Sequence, residues 1–111
     1  MEHALKNPRF WERVYGADER ADWGKRTGRR LLESAAAAFA AKEAFAKALG
    51  VGVRGFRLYE VQLVHDPLGA PILQLSGGAQ RLADGRCFSV SLTHTRQYAA
   101  AVVAAFQACD A

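Results

Sequence analysis

The longest pattern in the sequence is a run of small and apolar residues with the 3.6-residue period of an α-helix, from about residue 29 to residue 49. Alanine dominates this run and has the highest helix propensity of all residues. Gly50 follows directly, where helices commonly end in a left-handed residue. We therefore predict one long helix, with a buried face formed by Leu32, Ala35, Ala36, Phe39, Phe45 and Leu49.

Two shorter helical patterns precede the long one. Residues 7–15 begin with Asn7, a capping residue, and Pro8, which the first helical turn tolerates. Gly16 would end that helix, and residues 17–23 predict a second short helix. The first half of the chain is therefore predicted to be helical.

The next segment changes to a period of two, which is typical of strands. Residues 56–64 predict a strand with a bulge near Tyr59, where the apolar phase changes. Asp66 to Gly69 has proline second and glycine fourth, as in a type I turn. Pro71–Leu75 should then return as the second strand of a hairpin.

The last part of the sequence predicts a short helix and two strands. Residues 76–83 form the helix, with Ser76 as its capping residue. Residues 88–93 alternate apolar and hydroxyl side chains, and residues 98–106 are almost wholly apolar, as in a strand covered on both faces. Helices followed by strands favour an α+β fold, with helices packed on a small, mostly antiparallel sheet in a single domain over residues 1–111.

Composition and charge restrict the functional classes. Hydrophobic residues make up 50% of the chain and charged residues 23%, as in a globular protein, and the net charge of +4 favours an anionic partner. Cys87 and Cys109 form no disulfide or metal pattern, so we expect a cytoplasmic protein with reduced thiols. We expect no signal peptide, because no apolar stretch of that kind follows Met1, and no apolar run is long enough to cross a bilayer.

The candidate chemistry centres on one side of the long helix. Phe39, Glu43 and Lys47 follow one another at i, i+4 spacing and therefore line one face. Because small and apolar residues surround it, the carboxylate should lie in a partly desolvated place and need a metal ion or a cation as partner. The alternative is a core phenylalanine beside a surface ion pair that contributes about 0.2–0.5 kcal/mol.

A second candidate is the strand end Ser-Leu-Thr-His-Thr at residues 91–95, whose side chains can donate hydrogen bonds to a phosphate. The alternative is an ordinary polar strand face with a histidine satisfied in a turn. A serine hydrolase is disfavoured, because no acid is placed to orient His94 and no Gly-x-Ser-x-Gly elbow occurs. A zinc site is disfavoured too, because the three histidines lack ligand spacing.

Basic residues cluster before and at the start of the long helix. Lys6, Arg9 and Arg13 form a stripe at roughly helical spacing, for which a solvated face is the alternative. A second basic group lies just before and at the start of the long helix and comprises Lys25, Arg26, Arg29 and Arg30. Because cations at a helix start oppose the helix dipole, their presence there favours an anion-binding role for this group. A nucleic-acid-binding domain would also fit the charge, but no binding motif is present.

In combination, these motifs closely resemble the holo-acyl-carrier-protein synthases, the small bacterial 4′-phosphopantetheinyl transferases. The resemblance extends from about Lys6 to Phe106 and includes a first-helix motif, Arg9-Phe10-x-Glu12-Arg13. Its three main motifs occur in this order: Phe39-Ala-Ala-Lys-Glu-Ala-Phe-Ala-Lys47 with Gly50 and Gly52, Asp66-x-x-Gly69-x-Pro71, and Ser91-x-Thr-His-Thr95.

The resemblance implies a fold, a reaction and an assembly. The family forms compact trimers with active sites between neighbouring subunits, and moves the phosphopantetheine arm of coenzyme A onto a serine of apo-acyl carrier protein. The implied leaving group is adenosine 3′,5′-bisphosphate, and the implied cofactor is Mg²⁺. Coenzyme A and acyl carrier protein are the implied partners, with no nucleic acid and no membrane.

The resemblance also implies roles for individual residues. Glu43 would be the magnesium ligand and help to deprotonate the attacking serine, and Lys47 would hold the pyrophosphate. The implied coenzyme A groove has Arg29 and Arg30 near the 3′-phosphate and the loop of Gly69 and Pro71 by the adenine. Its other members are Phe39, Lys47, Gly50, Gly52, Thr93 and His94. The implied docking helix for the carrier protein takes Lys6, Arg9, Phe10 and Arg13.

Three departures from the family pattern bear on activity. Ala38 stands where the family often has arginine, and Ala70 where it commonly has lysine. The family's first strand carries a Gly-x-Asp motif whose aspartate is the other metal ligand, and this sequence begins at Met1 after that point. The alternative to a full transferase is therefore a weakly active or inactive relative that binds coenzyme A or acyl carrier protein.

Overall fold

The computed structural model describes residues 7–50, 52, 54–95 and 98–107. It begins with two short helices, α1 (Pro8–Val14) and α2 (Ala17–Trp23), as predicted. The side chain of Asn7 caps α1 by accepting a backbone amide hydrogen bond of 3.0 Å. Gly16 has a different role from the predicted one, since its extended backbone opens α2 and its amide donates to the Glu19 carboxylate at 2.9 Å.

The long helix, α3, runs from Gly28 to Leu49 and ends at Gly50, whose φ of 73° lies in the left-handed region. Its extent agrees with the prediction, but its buried face is rotated from the predicted one. Four predicted face residues are only half-buried: Leu32, Ala36, Phe39 and Leu49. The buried positions are Ala35, Ala38, Ala41, Lys42, Phe45 and Ala46. Alanine side chains let the helix approach its neighbours closely, so several larger residues lie beside the contact.

The structure corrects the strand predicted at residues 56–64. Leu58–Glu60 form one turn of 3-10 helix, and strand β1 (Val61–His65) begins only after it. The Glu60 carboxylate stabilises this turn by accepting the Arg57 amide at 2.7 Å. The phase change in the sequence therefore marks a 3-10 turn and not a bulge.

Strand β1 pairs antiparallel with β2 (Pro71–Leu75), as predicted. The turn between them closes through a hydrogen bond of 2.9 Å from the Gly69 amide to the Asp66 carbonyl. Helix α4 (Gly77–Ala83) follows, but the side chain of Ser76 makes no capping hydrogen bond, so that part of the prediction is wrong.

Strands β3 (Cys87–His94) and β4 (Ala99–Phe106) form a second antiparallel pair. Along both strands half-buried and exposed residues alternate, so one face of the pair is packed and the other is open. The expectation that the last strand is covered on both faces is wrong for a single chain. Val102 is 69% exposed there and Phe106 is 43% exposed.

Helix α3 packs against strands of both pairs, which gives the predicted α+β fold. One core cluster surrounds Tyr15 and Trp23 and includes Leu63 of β1. The other surrounds Phe45, whose ring meets that of Phe56 edge-on at a centroid distance of 5.5 Å. No helix in the described ranges combines the length and hydropathy needed to span a membrane.

Candidate active site

Glu43 and Lys47 lie one turn apart on α3, and both are exposed. Phe39, one turn earlier, is half-buried. The expectation of a partly desolvated carboxylate is therefore wrong for a single chain. An open carboxylate next to an ammonium can take up a metal ion and a phosphate group.

The neighbouring residue, Lys42, points inward and is fully buried. Its ammonium lies 2.6 Å from a carboxylate oxygen of Glu19 and also donates to the Val61 carbonyl. These contacts fix the rotation of α3 about its own axis. Because adjacent helix residues are about 100° apart, burial of Lys42 turns Glu43 outward.

The Glu19 carboxylate is hydrogen-bonded through both oxygens within the core. One oxygen accepts from the Gly16 amide at 2.9 Å and from Lys42, and the other accepts from the Leu63 amide at 2.9 Å. Burial raises the pKa of Glu19, and the charge of Lys42 opposes that shift. Burial likewise lowers the pKa of Lys42 against the attraction of Glu19. This ion pair thus ties α2, α3 and β1 together.

A cavity of about 230 Å³ lies between the start of α3 and the ends of β1 and β3. We call it the basic cavity. Its apolar lining consists of Trp23, Ala37, Leu63 and Leu92. Its polar lining consists of Arg26, Arg30, Glu33, Ser34, His65 and His94. The structure thus brings together Arg30 and His94, two of the predicted coenzyme A residues.

Hydrogen bonds order the polar side of the basic cavity. Arg26 donates from Nη1 to Ser34 Oγ at 2.8 Å, and Ser34 in turn donates to the Arg30 carbonyl at 2.9 Å. His65 Nδ1 lies 2.7 Å from a carboxylate oxygen of Asp22. Two arginines against one lining carboxylate make the cavity suited to an anion.

The predicted site residues fall into two groups that a single chain keeps apart. Arg30 and Glu43 are between three and four helical turns apart on α3, which corresponds to about 20 Å along the axis and about 140° around it. Lys47 lies one turn further from Arg30. The basic cavity and the Glu43–Lys47 pair therefore face different directions and do not line one pocket.

The other predicted coenzyme A residues do not line the basic cavity. Gly50 and Gly52 follow the end of α3 with φ of 73° and 62°, and Gly69 in the hairpin turn has φ of 90°. All three φ values are positive, which favours glycine over other residues. These residues outside the cavity are Arg29, Phe39, Lys47, Gly50, Gly52, Gly69, Pro71 and Thr93. Phe39 and Pro71 are half-buried and the other six are exposed, so a ligand or a second chain can approach those six.

Glu43 is the residue for which the sequence implies a magnesium role, and it stands on α3 as an exposed carboxylate. Within the described part of the chain, no group of three or more His, Cys, Asp or Glu could hold a metal ion. Mg²⁺ keeps several waters and needs only one or two carboxylates when substrate phosphates complete its shell. An exposed carboxylate such as that of Glu43 is compatible with that requirement.

The predicted docking helix presents an open basic face. Arg9 and Arg13 are exposed and lie one turn apart on α1. Phe10 is half-buried and packs edge-on against Tyr15, with ring centroids 5.9 Å apart, which anchors α1 to the core. Lys6, the fourth predicted docking residue, lies outside the described residues, as does Cys109.

Comparison with known proteins relates the sequence to one family. The sequence model of the 4′-phosphopantetheinyl transferase superfamily matches residues 1–103. The holo-[acyl-carrier-protein] synthase of Chloroflexus aurantiacus is 44% identical over an alignment 112 residues long. The alignment covers 88% of this chain and 82% of the relative. The protein of the same name from Latilactobacillus sakei is 44% identical over 90 residues, which cover 81% of this chain and 72% of the relative.

Solved structures share the fold. A holo-(acyl-carrier-protein) synthase from Bacillus anthracis in complex with CoA (3′,5′-ADP) has a TM-score of 0.81 and 31% identity, and the match covers 96% of this chain and 85% of that one. The Helicobacter pylori holo-[acyl-carrier-protein] synthase in complex with coenzyme A has a TM-score of 0.74 and 28% identity. That match covers 88% of this chain and 82% of the other.

Proposed function

Because this chain belongs to the 4′-phosphopantetheinyl transferase superfamily, we propose that it acts as a holo-[acyl-carrier-protein] synthase. It transfers 4′-phosphopantetheine from coenzyme A to a serine of apo-acyl carrier protein and releases adenosine 3′,5′-bisphosphate. The observation that carries the proposal is an open Glu43–Lys47 pair on a chain that also holds a basic cavity suited to a nucleotide phosphate. Relatives named for this activity support it.

The reaction makes one bond and breaks one at the phosphorus that carries the pantetheine arm. The serine oxygen attacks this phosphorus, the bond to the bridging oxygen of the pyrophosphate breaks, and a base takes the serine proton. Negative charge builds on the phosphoryl oxygens and the leaving phosphate, so a cation held there lowers the barrier. The Lys47 ammonium is such a cation.

Glu43 has two roles in this proposal. Its carboxylate would hold Mg²⁺, and it accepts the serine proton through an intervening water. When bound, the metal ion would neutralise charge on the pyrophosphate. The exposure of Glu43 supports both roles, because water and the serine of a carrier protein can reach an open carboxylate.

The active site is completed between copies of the chain, in a homotrimer. One coenzyme A molecule cannot lie in the basic cavity and against Lys47 of the same chain, because the two face different directions on α3. A neighbouring chain can supply the second group. The exposed apolar side chains of β4, Val102 and Phe106 among them, support association, since single chains rarely leave such a surface uncovered.

Acyl carrier protein docks on α1. The exposed arginines Arg9 and Arg13, together with Lys6 and Phe10, present positive charge to an acidic carrier protein, and complementary charge speeds encounter. This role gives a use to part of the net charge of +4. The reaction takes place in the cytoplasm and supplies holo-acyl carrier protein for fatty acid biosynthesis.

Mass spectrometry of the carrier protein tests the proposal. The purified chain is incubated with coenzyme A, Mg²⁺ and apo-acyl carrier protein, and we expect the carrier to gain the mass of one phosphopantetheine group. Glu43→Gln should lower the rate by about a hundredfold or more, because it removes a group that acts on the developing charge. Removal of Mg²⁺ by a chelator should also stop transfer.

Asp18→Asn is the matched control. It removes an exposed carboxylate on α2 that neither lines the basic cavity nor belongs to the proposed site residues, and it should leave the rate unchanged. Full transfer by Glu43→Gln would contradict the role of Glu43. A wild-type chain that binds coenzyme A without modifying any carrier protein would contradict the transferase and favour a binding relative.

A further inference from the structure

We propose that a groove between the 3-10 turn and α4 is a second docking surface for the carrier protein, where Arg57 and Arg81 bind acidic side chains of that protein. The inference rests on the proposed function and extends its docking surface beyond α1. We call this surface the arginine groove. It has a volume of about 450 Å³ and is lined by Gly55, Phe56, Arg57, Glu60, Gly78 and Arg81.

The arginine groove is connected to the proposed docking helix through the 3-10 turn. This turn, Leu58–Glu60, packs against both α1 and α4. Leu58 packs on the core cluster that contains Val14 of α1, and Arg57 directly precedes it with an exposed side chain. A carrier protein seated on α1 therefore lies next to the elements that form the arginine groove.

The two arginines of the groove have donors available for a partner. Both side chains are exposed, and among the residues that the structure describes neither guanidinium has a hydrogen bond or an ion pair. Glu60 is the acid among the lining residues, but its carboxylate already accepts the Arg57 amide at 2.7 Å and the Gly78 amide at 3.1 Å. Arg81 acts on this carboxylate only as a nearby charge, so its five N–H donors remain available.

The backbone of the arginine groove is held in place before a partner binds. A side-chain carbon added at Gly78 would lie 2.5 Å from the carbonyl oxygen of Gly55, so a residue larger than glycine would force these two segments apart. The hydrogen bonds of Glu60 also join the 3-10 turn to the start of α4. A surface whose backbone is already ordered loses less conformational freedom on binding.

The shape and composition of the arginine groove favour a protein partner over a small anion. The groove is open, and the Glu60 carboxylate in its lining repels a free phosphate. A second open depression shares Arg81 and continues the surface along α4. Tyr59 is 43% exposed nearby, and tyrosine and arginine are enriched among the residues that contribute most to protein binding. An acidic carrier protein presents single carboxylates, which pair well with separate arginines.

Transfer kinetics with varied carrier protein test the inference. Arg57→Glu is the most informative change, because the 3-10 turn uses the backbone amide of Arg57 and not its side chain. At low salt it should lower kcat/KM for apo-acyl carrier protein by about fivefold to tenfold, since the reversal removes one attraction and adds one repulsion. The loss should shrink at high salt, which screens exposed charges. The kcat/KM for coenzyme A at saturating carrier protein should stay within about twofold. Adding Arg81→Gln should deepen the loss for the carrier protein.

Arg20→Glu is the matched control. It reverses an exposed arginine on α2 that lines neither the basic cavity nor the arginine groove, and it should keep kcat/KM for the carrier protein within about twofold. Equal losses in the two variants would show a general effect of net charge and overturn the inference. An unchanged kcat/KM in Arg57→Glu, or an equal loss for coenzyme A, would do the same. A smaller oligomer in Arg57→Glu would place a second copy of the chain in the groove and also overturn it.

The inference can fail or stand independently of the proposed function. If the wild-type chain modifies no carrier protein, the proposed function fails, and equilibrium binding of a fluorescently labelled apo-acyl carrier protein decides the inference. Binding that Arg57→Glu weakens by about fivefold and Arg20→Glu leaves unchanged would support it. No binding by the wild-type chain, or equal binding by the wild-type chain and Arg57→Glu, would overturn it.

Discussion

Lys42 and Glu43 are adjacent on α3, yet one is fully buried and the other is exposed. Helical spacing gives the angle between two residues but not which of them faces inward, so the sequence pattern permits either arrangement. The choice depends on Glu19, which is distant in sequence and meets Lys42 only in the folded chain. The one local signal is the spacing from Gly16 to Glu19, which matches a capping box.

We predict that Lys42→Met lowers the free energy of unfolding by about 3–5 kcal/mol, because it leaves the Glu19 carboxylate buried without its charged partner. The double variant Glu19→Gln, Lys42→Met should lose less than the sum of its single variants, since neither buried group is then charged. Chemical denaturation of the four proteins measures this coupling.

Lys47→Met is the control for that cycle. Lys47 is the same residue type on the same helix but is exposed, so its replacement should change the free energy of unfolding by no more than about 0.5 kcal/mol. Additive losses in the cycle, or equal losses at Lys42 and Lys47, would contradict a buried pair that fixes the helix.

At the level of elements, patterns carried by neighbouring residues predict the structure well. The extent of α3 and the hairpin turn follow from helix propensity and from proline and glycine positions. The 3-10 turn does not, because Glu60 accepts the amide of Gly78, which lies beyond the whole hairpin, at 3.1 Å. The sequence does predict an anion-binding role for Arg26 and Arg30, but not that they meet His65 in one cavity, since no periodicity relates these segments.

The same carboxylate gives a prediction about pH. The hydrogen bond from the Arg57 amide, with those from Gly78 and Ala79, holds the pKa of Glu60 below its ordinary value of 4.5. The ionised form therefore stabilises the fold above pH 4.5, and this contribution is lost as the pH falls through the lowered pKa.

We expect Glu60→Gln to lower the melting temperature at pH 7 and to lower it less at pH 3, because the stabilisation by the wild-type carboxylate declines as the pH falls below 4.5. Thermal unfolding followed by circular dichroism at both values measures the two differences. Because Glu60 is only half-buried, both are expected to be small. A difference that stays constant between pH 7 and pH 3 would contradict this role.

At the scale of the whole molecule, we propose that two copies of the chain build each active site. The Glu43–Lys47 pair and the basic cavity are complete on every chain but face different directions on α3. The open face of β4, with Val102 at 69% exposure, offers a surface for assembly. Composition alone predicts an apolar last strand, but only the folded chain separates its packed face from its open one.

Complementation between two inactive variants measures whether two chains share one active site. One variant carries Glu43→Gln, and the other carries Arg30→Gln together with His94→Gln. Each variant alone should lose most of the transfer activity, because every site it builds lacks one group. Chains mixed at random in a closed trimer should recover about a quarter of the wild-type rate, since that share of sites pairs two intact groups. Mixed oligomers that contain both chains by mass spectrometry and recover no activity would contradict the shared site.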